Sequence, residues 1–374
     1  MIYLDNAATT ALDPLVKEAM IQAMDVFGNP SSTHGEGRKA RALVESARKS
    51  IASLVNCLPG EIVFTSGGTE ADNWALKGSV HQLGVQLIIT SPLEHHAVLH
   101  VAEELASSGA CSLALTPVNF QGEIDLAWLE DRLRTAQSAN EKVLVSLMHG
   151  NNEIGTLLPI EKVSHLCLEY GALFHSDMVQ TLAHFPIDFG SVSLHFSACA
   201  AHKFHGPKGV GFAYIKTGTG LPPFIHGGSQ ERAHRSGTEN VLGIVGLQKA
   251  FELAHERMPA DRLHIRSVKA YALEQLHKHI PGVQMNGASG DLDQSLYTVL
   301  NVNLPANPDR GMLTFQLDIQ GICASGGSAC SSGSNKGSHV LSAIGASDGL
   351  RLSFSRHTTN AEIDAVVAVL KGLS

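Results

Sequence analysis

No apolar run in this chain of 374 residues approaches the ~20 residues that a membrane span needs. The opening Met1-Ile2-Tyr3-Leu4-Asp5-Asn6 carries neither a basic leader nor an apolar stretch. A soluble, cytoplasmic protein is expected. No Lys/Arg run is longer than a few residues, the formal net charge is -8 and the pI is about 6.2, which argues against a nucleic-acid partner. The six cysteines (Cys57, Cys111, Cys167, Cys199, Cys323, Cys330) include no C-x-x-C pair. That spacing speaks against a zinc ribbon and against a disulfide-stapled secreted scaffold, so reduced thiols are expected. There is no internal repeat, no low-complexity tract, no G-x-G-x-x-G fingerprint and no G-x-x-x-x-G-K-[ST] loop. A dinucleotide or nucleoside triphosphate is therefore a poorer guess than a small phosphorylated cofactor.

With 44% apolar residues, the chain can fill one large domain and a smaller one. Continuous apolar runs at Glu61–Phe64, Gln86–Thr90, Val143–Met148, Ala172–His175 and Val210–Ile215 fit buried strands of a mainly parallel sheet. Amphipathic segments such as Leu126–Thr135 and Ile160–Tyr170 lie between them, which makes an α/β doubly wound pattern. The rhythm changes near Glu256–Asp261. A helical stretch from about Arg262 to His279 follows, then strands and turns, then a terminal helix from Asn360 to Leu373. The stretch Ser325–Ser338 is dominated by Gly, Ser and Ala and is expected to be the most flexible.

Lys203 stands in Ala201-His202-Lys203-Phe204-His205-Gly206-Pro207-Lys208-Gly209, between a histidine and a glycine-rich turn. A lysine in a partly desolvated pocket has a depressed pKa and becomes a nucleophile toward an aldehyde, of which pyridoxal phosphate is the obvious case. Upstream, Phe174-His175-Ser176-Asp177-Met178-Val179-Gln180 puts a carboxylate at the end of an apolar run, where it could pair with a protonated pyridine nitrogen. Thr65-Ser66-Gly67-Gly68-Thr69 follows a strand and opens a helix, an arrangement that suits a phosphate or, more simply, a tight turn with Thr69 as N-cap.

Glu94-His95-His96 follows another strand, at the edge where open α/β sheets bind ligands; one imidazole could stack on a flat ring, and a metal would need further ligands. His149-Gly150-Asn151-Asn152 supplies amides at the same edge or simply forms a turn. Cys330 lies in Gly326-Gly327-Ser328-Ala329-Cys330-Ser331-Ser332-Gly333, where a mobile nucleophilic thiol and a plain surface cysteine both remain open. Arg351 and Arg356 offer guanidinium forks for a substrate carboxylate, with surface charge as the alternative for Arg351.

In this order, and with Tyr3-Leu4-Asp5-Asn6-Ala7-Ala8-Thr9-Thr10, Gly28-Asn29-Pro30-Ser31-Ser32 and Arg235-Ser236-Gly237-Thr238, the segments resemble the NifS/IscS-like cysteine desulfurases of the class V aminotransferase group. The resemblance implies the type I pyridoxal-phosphate fold. Its large domain would span about 15–255, and its small domain 1–14 with 256–374, carrying the cysteine loop at about 324–338. It implies a homodimer that converts L-cysteine to L-alanine and leaves a persulfide on Cys330, for an iron-sulfur scaffold or another sulfur acceptor protein. Lys203 would hold the cofactor and move protons at the substrate Cα, and Asp177 would pair with the pyridine nitrogen. Gln180 would meet the phenolic oxygen, and His95 would stack on the ring and shuttle a proton. Gly68, Thr69 and His202 would hold the phosphate, with Thr238 reaching the neighbouring subunit's phosphate. Asn152 and Arg356 would orient the substrate carboxylate.

Some positions depart from the family pattern. Ala200-Ala201 replace the usual Ser-Gly, Ser355 replaces a common glycine, and Ser334-Asn335-Lys336-Gly337-Ser338 stands where a Glu-Pro pair is usual. The lost hydroxyl predicts a phosphate held more weakly by ~1.5 to 3 kcal/mol. The chain stops at Ser374, short of an extension that some relatives use to dock a scaffold. Alternatives in the same group are a selenocysteine lyase or a small-substrate aminotransferase. A weakly active sulfur-relay paralogue is the alternative from another class.

Overall fold

Seven strands form the central sheet of the computed structural model, which describes residues 1–307, 312–326 and 337–373. Their order is Ile62–Thr65, Gly211–Ile215, Phe196–Ala200, Leu173–Asp177, Val143–Ser146, Leu87–Thr90 and Ser112–Leu115. All run parallel except Gly211–Ile215, which is antiparallel to both neighbours. Five of these strands coincide with the continuous apolar runs, because both sheet faces are covered by helices and every position is driven inward. Phe196–Ala200 has the same buried environment, but Ser197, Cys199 and two alanines dilute its apolar signal. Ser112–Leu115 is a half-exposed edge strand with no apolar run to betray it.

A second core is built on a smaller antiparallel sheet of Ser325–Gly326, Leu350–Ser353, Val299–Asn303 and Gln284–Met285. The N-terminal strand Ile2–Tyr3 pairs with Ile322–Cys323, and Leu4 is buried in this core, so the first residues pack with the last third of the chain. One helix, Val241–His279, runs straight through the change of rhythm near residue 256. Its apolar residues up to Ala254 pack into the large core and those from Ile265 to Leu276 into the second. Pro259 lies in this helix on an exposed turn between the two cores, where polar residues interrupt the periodicity but not the helix.

Lys269 of that helix is fully buried, donating to Ser295 Oγ at 2.7 Å and to the Leu296 carbonyl at 2.8 Å. Burial pushes its ammonium down to about 7. The unfolded chain then binds more protons than the folded one between pH 7 and the ordinary lysine range, so stability rises with pH across that window; the penalty is full below pH 7. The expected result is a Tm that climbs between pH 7 and 10 in the native chain and climbs measurably less in Lys269→Met, read by thermal melts across that range.

Candidate active site

The parallel strands end at the same edge of the sheet, and the last residues of five of them pass directly into the segments that the sequence marks as chemical. Thr90 leads to Glu94 and His95, Ser146 to Asn152, Leu173–Asp177 ends on Asp177 itself, and Ala200 leads through a 3-10 turn to His202 and Lys203. Ile62–Thr65 leads to the helix Gly68–His81, whose free N–H groups open toward the same place. A cavity of about 330 Å³ lies there, lined by Gly68, Thr69, His95, Asn152, Asp177, Gln180, His202 and Lys203, and also by Asp72, Glu94, His339 and Arg351. Lys203 and Asp177 thus share one chamber.

The N-terminal arm closes one wall. Lys203 Nζ donates to the Ala7 and Ala8 carbonyls at 2.8 and 2.9 Å, and Gln180 Nε2 donates to the Ala7 carbonyl at 3.0 Å. His202 Nδ1 lies 3.2 Å from Thr9 Oγ1, and burial, with Lys203 and Lys208 nearby, pushes this imidazole down to about 4. His95 caps the helix His96–Ser107, its Nδ1 accepting the Ala97 N–H at 3.1 Å. That bond fixes the ring and puts the proton of the neutral form on Nε2. Burial holds His95 below its ordinary value, with the Asp177 charge pulling the other way.

Asp177 is buried, and its Oδ1 accepts the Val179 N–H at 2.9 Å. Burial raises its carboxyl, opposed by His95, the Val179 N–H and Lys203. Two further carboxyls, Asp72 and Glu94, are each 1% exposed on the cavity wall and are also raised by burial, with Asp177 adding repulsion to both. This much buried acid calls for a cationic partner, and a protonated pyridine nitrogen is one. At the other end, Gly68 is required by contact: a Cβ there would come within 2.7 Å of Val179 Cγ2. The same Cβ would lie 4.0 Å from Ala200 Cβ, so the methyl that replaces the usual hydroxyl faces the glycine turn. These residues fit pyridoxal phosphate: Gly68, Thr69 and His202 would hold the phosphate, Asp177 would meet the ring nitrogen and Lys203 the aldehyde carbon.

Two expected residues lie elsewhere, and a third is not placed. Arg356 lines a neighbouring cavity of about 30 Å³, paired with Asp13 and, at 3.8 Å, with Asp261. Thr238 is exposed and does not line the main cavity. Cys330 lies outside the described residues. Arg351 does reach the main cavity: it is 1% exposed, donates to the Asn152 carbonyl at 3.0 Å and to Asp5 Oδ1 at 2.8 Å, and its Nε has no partner among the described residues. An arginine inside the apolar strand Leu350–Ser353 was the available sign that its charge is buried. Among the described residues, no three His, Cys, Asp or Glu side chains are placed to hold a metal, and no helix is long and apolar enough to cross a membrane.

The class-V aminotransferase family model matches residues 2–366. The chain is 40% identical over 379 residues to the cysteine desulfurase IscS of Dictyoglomus turgidum, covering 99% of this chain and 93% of that one. A solved NifS-like protein superposes with a TM-score of 0.88 at 34% identity, over 99% of this chain and 98% of that one. Another solved structure, SspA in complex with cysteine, superposes with a TM-score of 0.82 at 31% identity, over 96% of this chain and all of that one. With a chamber that fits the cofactor and likeness along the whole chain, this protein belongs to the class-V aminotransferase family of pyridoxal-phosphate enzymes, in its cysteine desulfurase branch.

Proposed function

We propose that this protein converts L-cysteine to L-alanine and keeps the sulfur as a persulfide on Cys330 for an iron-sulfur scaffold or a thiolation acceptor. The single observation that carries the reading is the chamber in which Lys203, Asp177, His95, Asn152 and Arg351 meet. Pyridoxal phosphate, when bound, supplies the electron sink for charge at the substrate Cα. Lys203 holds the cofactor and moves the Cα proton, being the amine between the arm and the turn after Ala200. Asp177 keeps a proton on the pyridine nitrogen, and neutral His95 carries an N–H on Nε2 for proton transfer.

Arg351 binds the substrate carboxylate. Its guanidinium is already oriented by Asp5 and by the Asn152 backbone, and its Nε, unpartnered among the described residues, is one further donor. The Cys330 thiolate then takes the sulfur: the Cβ–S bond of the substrate breaks, an S–S bond forms, and cysteine plus thiol becomes alanine plus persulfide without an external oxidant.

The ends of the cysteine loop are tied to this chamber. Ser325 Oγ donates to Asp5 Oδ1 at 2.7 Å, and Ser338 Oγ donates to Glu153 Oε2 at 2.6 Å beside His339. A cytoplasmic homodimer fits the remaining features. Leu15, Ile21, Met24 and Phe27 are exposed along one N-terminal segment, a surface suited to a second copy, and Thr238 is exposed as well. The test is alanine and sulfide release from L-cysteine with a reductant. Cys330→Ser is expected to lower alanine release by at least ~10²-fold and to abolish the persulfide; unchanged turnover in that variant would favour an aminotransferase.

A further inference from the structure

The sheet edge behind the Gly67-Gly68 turn is closed by charged side chains instead of another strand. Ile62–Thr65 is the terminal strand, and its outward-facing backbone groups need partners. Arg48 Nη1 donates to the Ile62 carbonyl at 2.6 Å, and the Phe64 N–H donates to Glu231 Oε2 at 2.8 Å. The two side chains are joined fork to fork at 2.8 and 2.7 Å, each about 3% exposed.

Glu231 occupies this place on a backbone that side chains disfavour. Glu231, Arg232 and Ala233 have φ of 47°, 58° and 65°, three consecutive non-glycine residues in the left-handed region. Just beyond, the Arg235 guanidinium grips Glu70 at 2.9 and 3.3 Å, and Glu70 Oε2 accepts the Ser66 N–H at 2.8 Å. The strained turn therefore holds the strand before Gly67-Gly68 through Glu231 and the first helical turn after it through Arg235. Neither Glu231 nor Arg235 lines the cavity. A turn of two glycines has no side chains to fix its own shape, and N–H groups aimed at an anion lose their bonds when tilted.

We infer that Glu231 and Arg235 are positioning residues for the phosphate cradle, their ion pairs holding a strained turn so that the N–H groups at 67–69 stay aligned. This rests on the reading of the chamber as a pyridoxal-phosphate site. The test compares pyridoxal phosphate with pyridoxal, which has the same aldehyde and no phosphate. Binding to the full-length protein is followed by the visible absorbance that depends on Lys203. In both Glu231→Gln and Arg235→Gln, affinity for pyridoxal phosphate is expected to fall by about 10-fold while affinity for pyridoxal stays within about twofold. Equal losses for both compounds, or no loss for either, would overturn the inference. Arg235→Gln, at a half-buried site, decides the matter if Glu231→Gln does not fold. A native chain that gives no Lys203-dependent absorbance with either compound would remove the cofactor reading, and this inference with it.

Discussion

Lys203→Ala is expected to lose the visible absorbance that pyridoxal phosphate gives with the native chain and to release alanine from L-cysteine about 10⁴-fold more slowly. In the proposed reading one side chain supplies both the covalent hold on the cofactor and the base at Cα, and a general base alone is worth ~10² to 10⁴ in rate. The structural share of the loss is separable. Lys203 Nζ ties the N-terminal arm through the Ala7 and Ala8 carbonyls, and Lys203→Arg can keep a charged donor there while lacking a deprotonated amine at neutral pH. Lys203→Arg is therefore expected to be as inactive as Lys203→Ala with less change in Tm. Alanine release from either variant near the native rate would exclude the assigned role.

Arg351→Met is expected to reduce kcat/KM for L-cysteine by about 10²-fold or more, mainly through KM, because truncating one partner of a buried charge pair costs ~2 to 5 kcal/mol. Arg356→Gln is expected to leave kcat/KM within about threefold and to lower Tm instead. Its guanidinium pairs with Asp13, which also caps the helix Pro14–Ala23 by accepting the Leu15 N–H at 2.8 Å. Steady-state kinetics and melts on the two variants decide between them. The opposite pattern would return the carboxylate to Arg356.

Much of the architecture was legible because a sheet buried on both faces demands unbroken apolar runs, and Leu87–Thr90, Val143–Ser146 and Gly211–Ile215 show them. Ser112–Leu115 was not, since an edge strand is required only to pair, not to be apolar. Of the long helix Val241–His279 only the stretch from about Arg262 was read, because its buried face changes cores between Ala254 and Ile265, and periodicity reports the face and not the helix. In the chamber, Lys203, Asp177 and His95 were legible from their place after strands. Asp72 and Glu94 were not, since a carboxylate inside a helix or loop reads as solvated until its neighbours are known.

The sequence by itself determined the inventory of chemistry: an amine, a carboxylate at a strand end, an imidazole, a glycine turn, a thiol on a small-residue loop and two nearby arginines, each set by residue type and local spacing. Only the tertiary structure decided which arginine faces the chamber. Strand Leu350–Ser353 pairs with Val299–Asn303, and that register turns Arg351 inward toward Asn152, while Arg356, past the strand's end, meets Asp13 from the far end of the chain. Two identical side chains five residues apart differ in surroundings because pairing partners distant in sequence fix their directions.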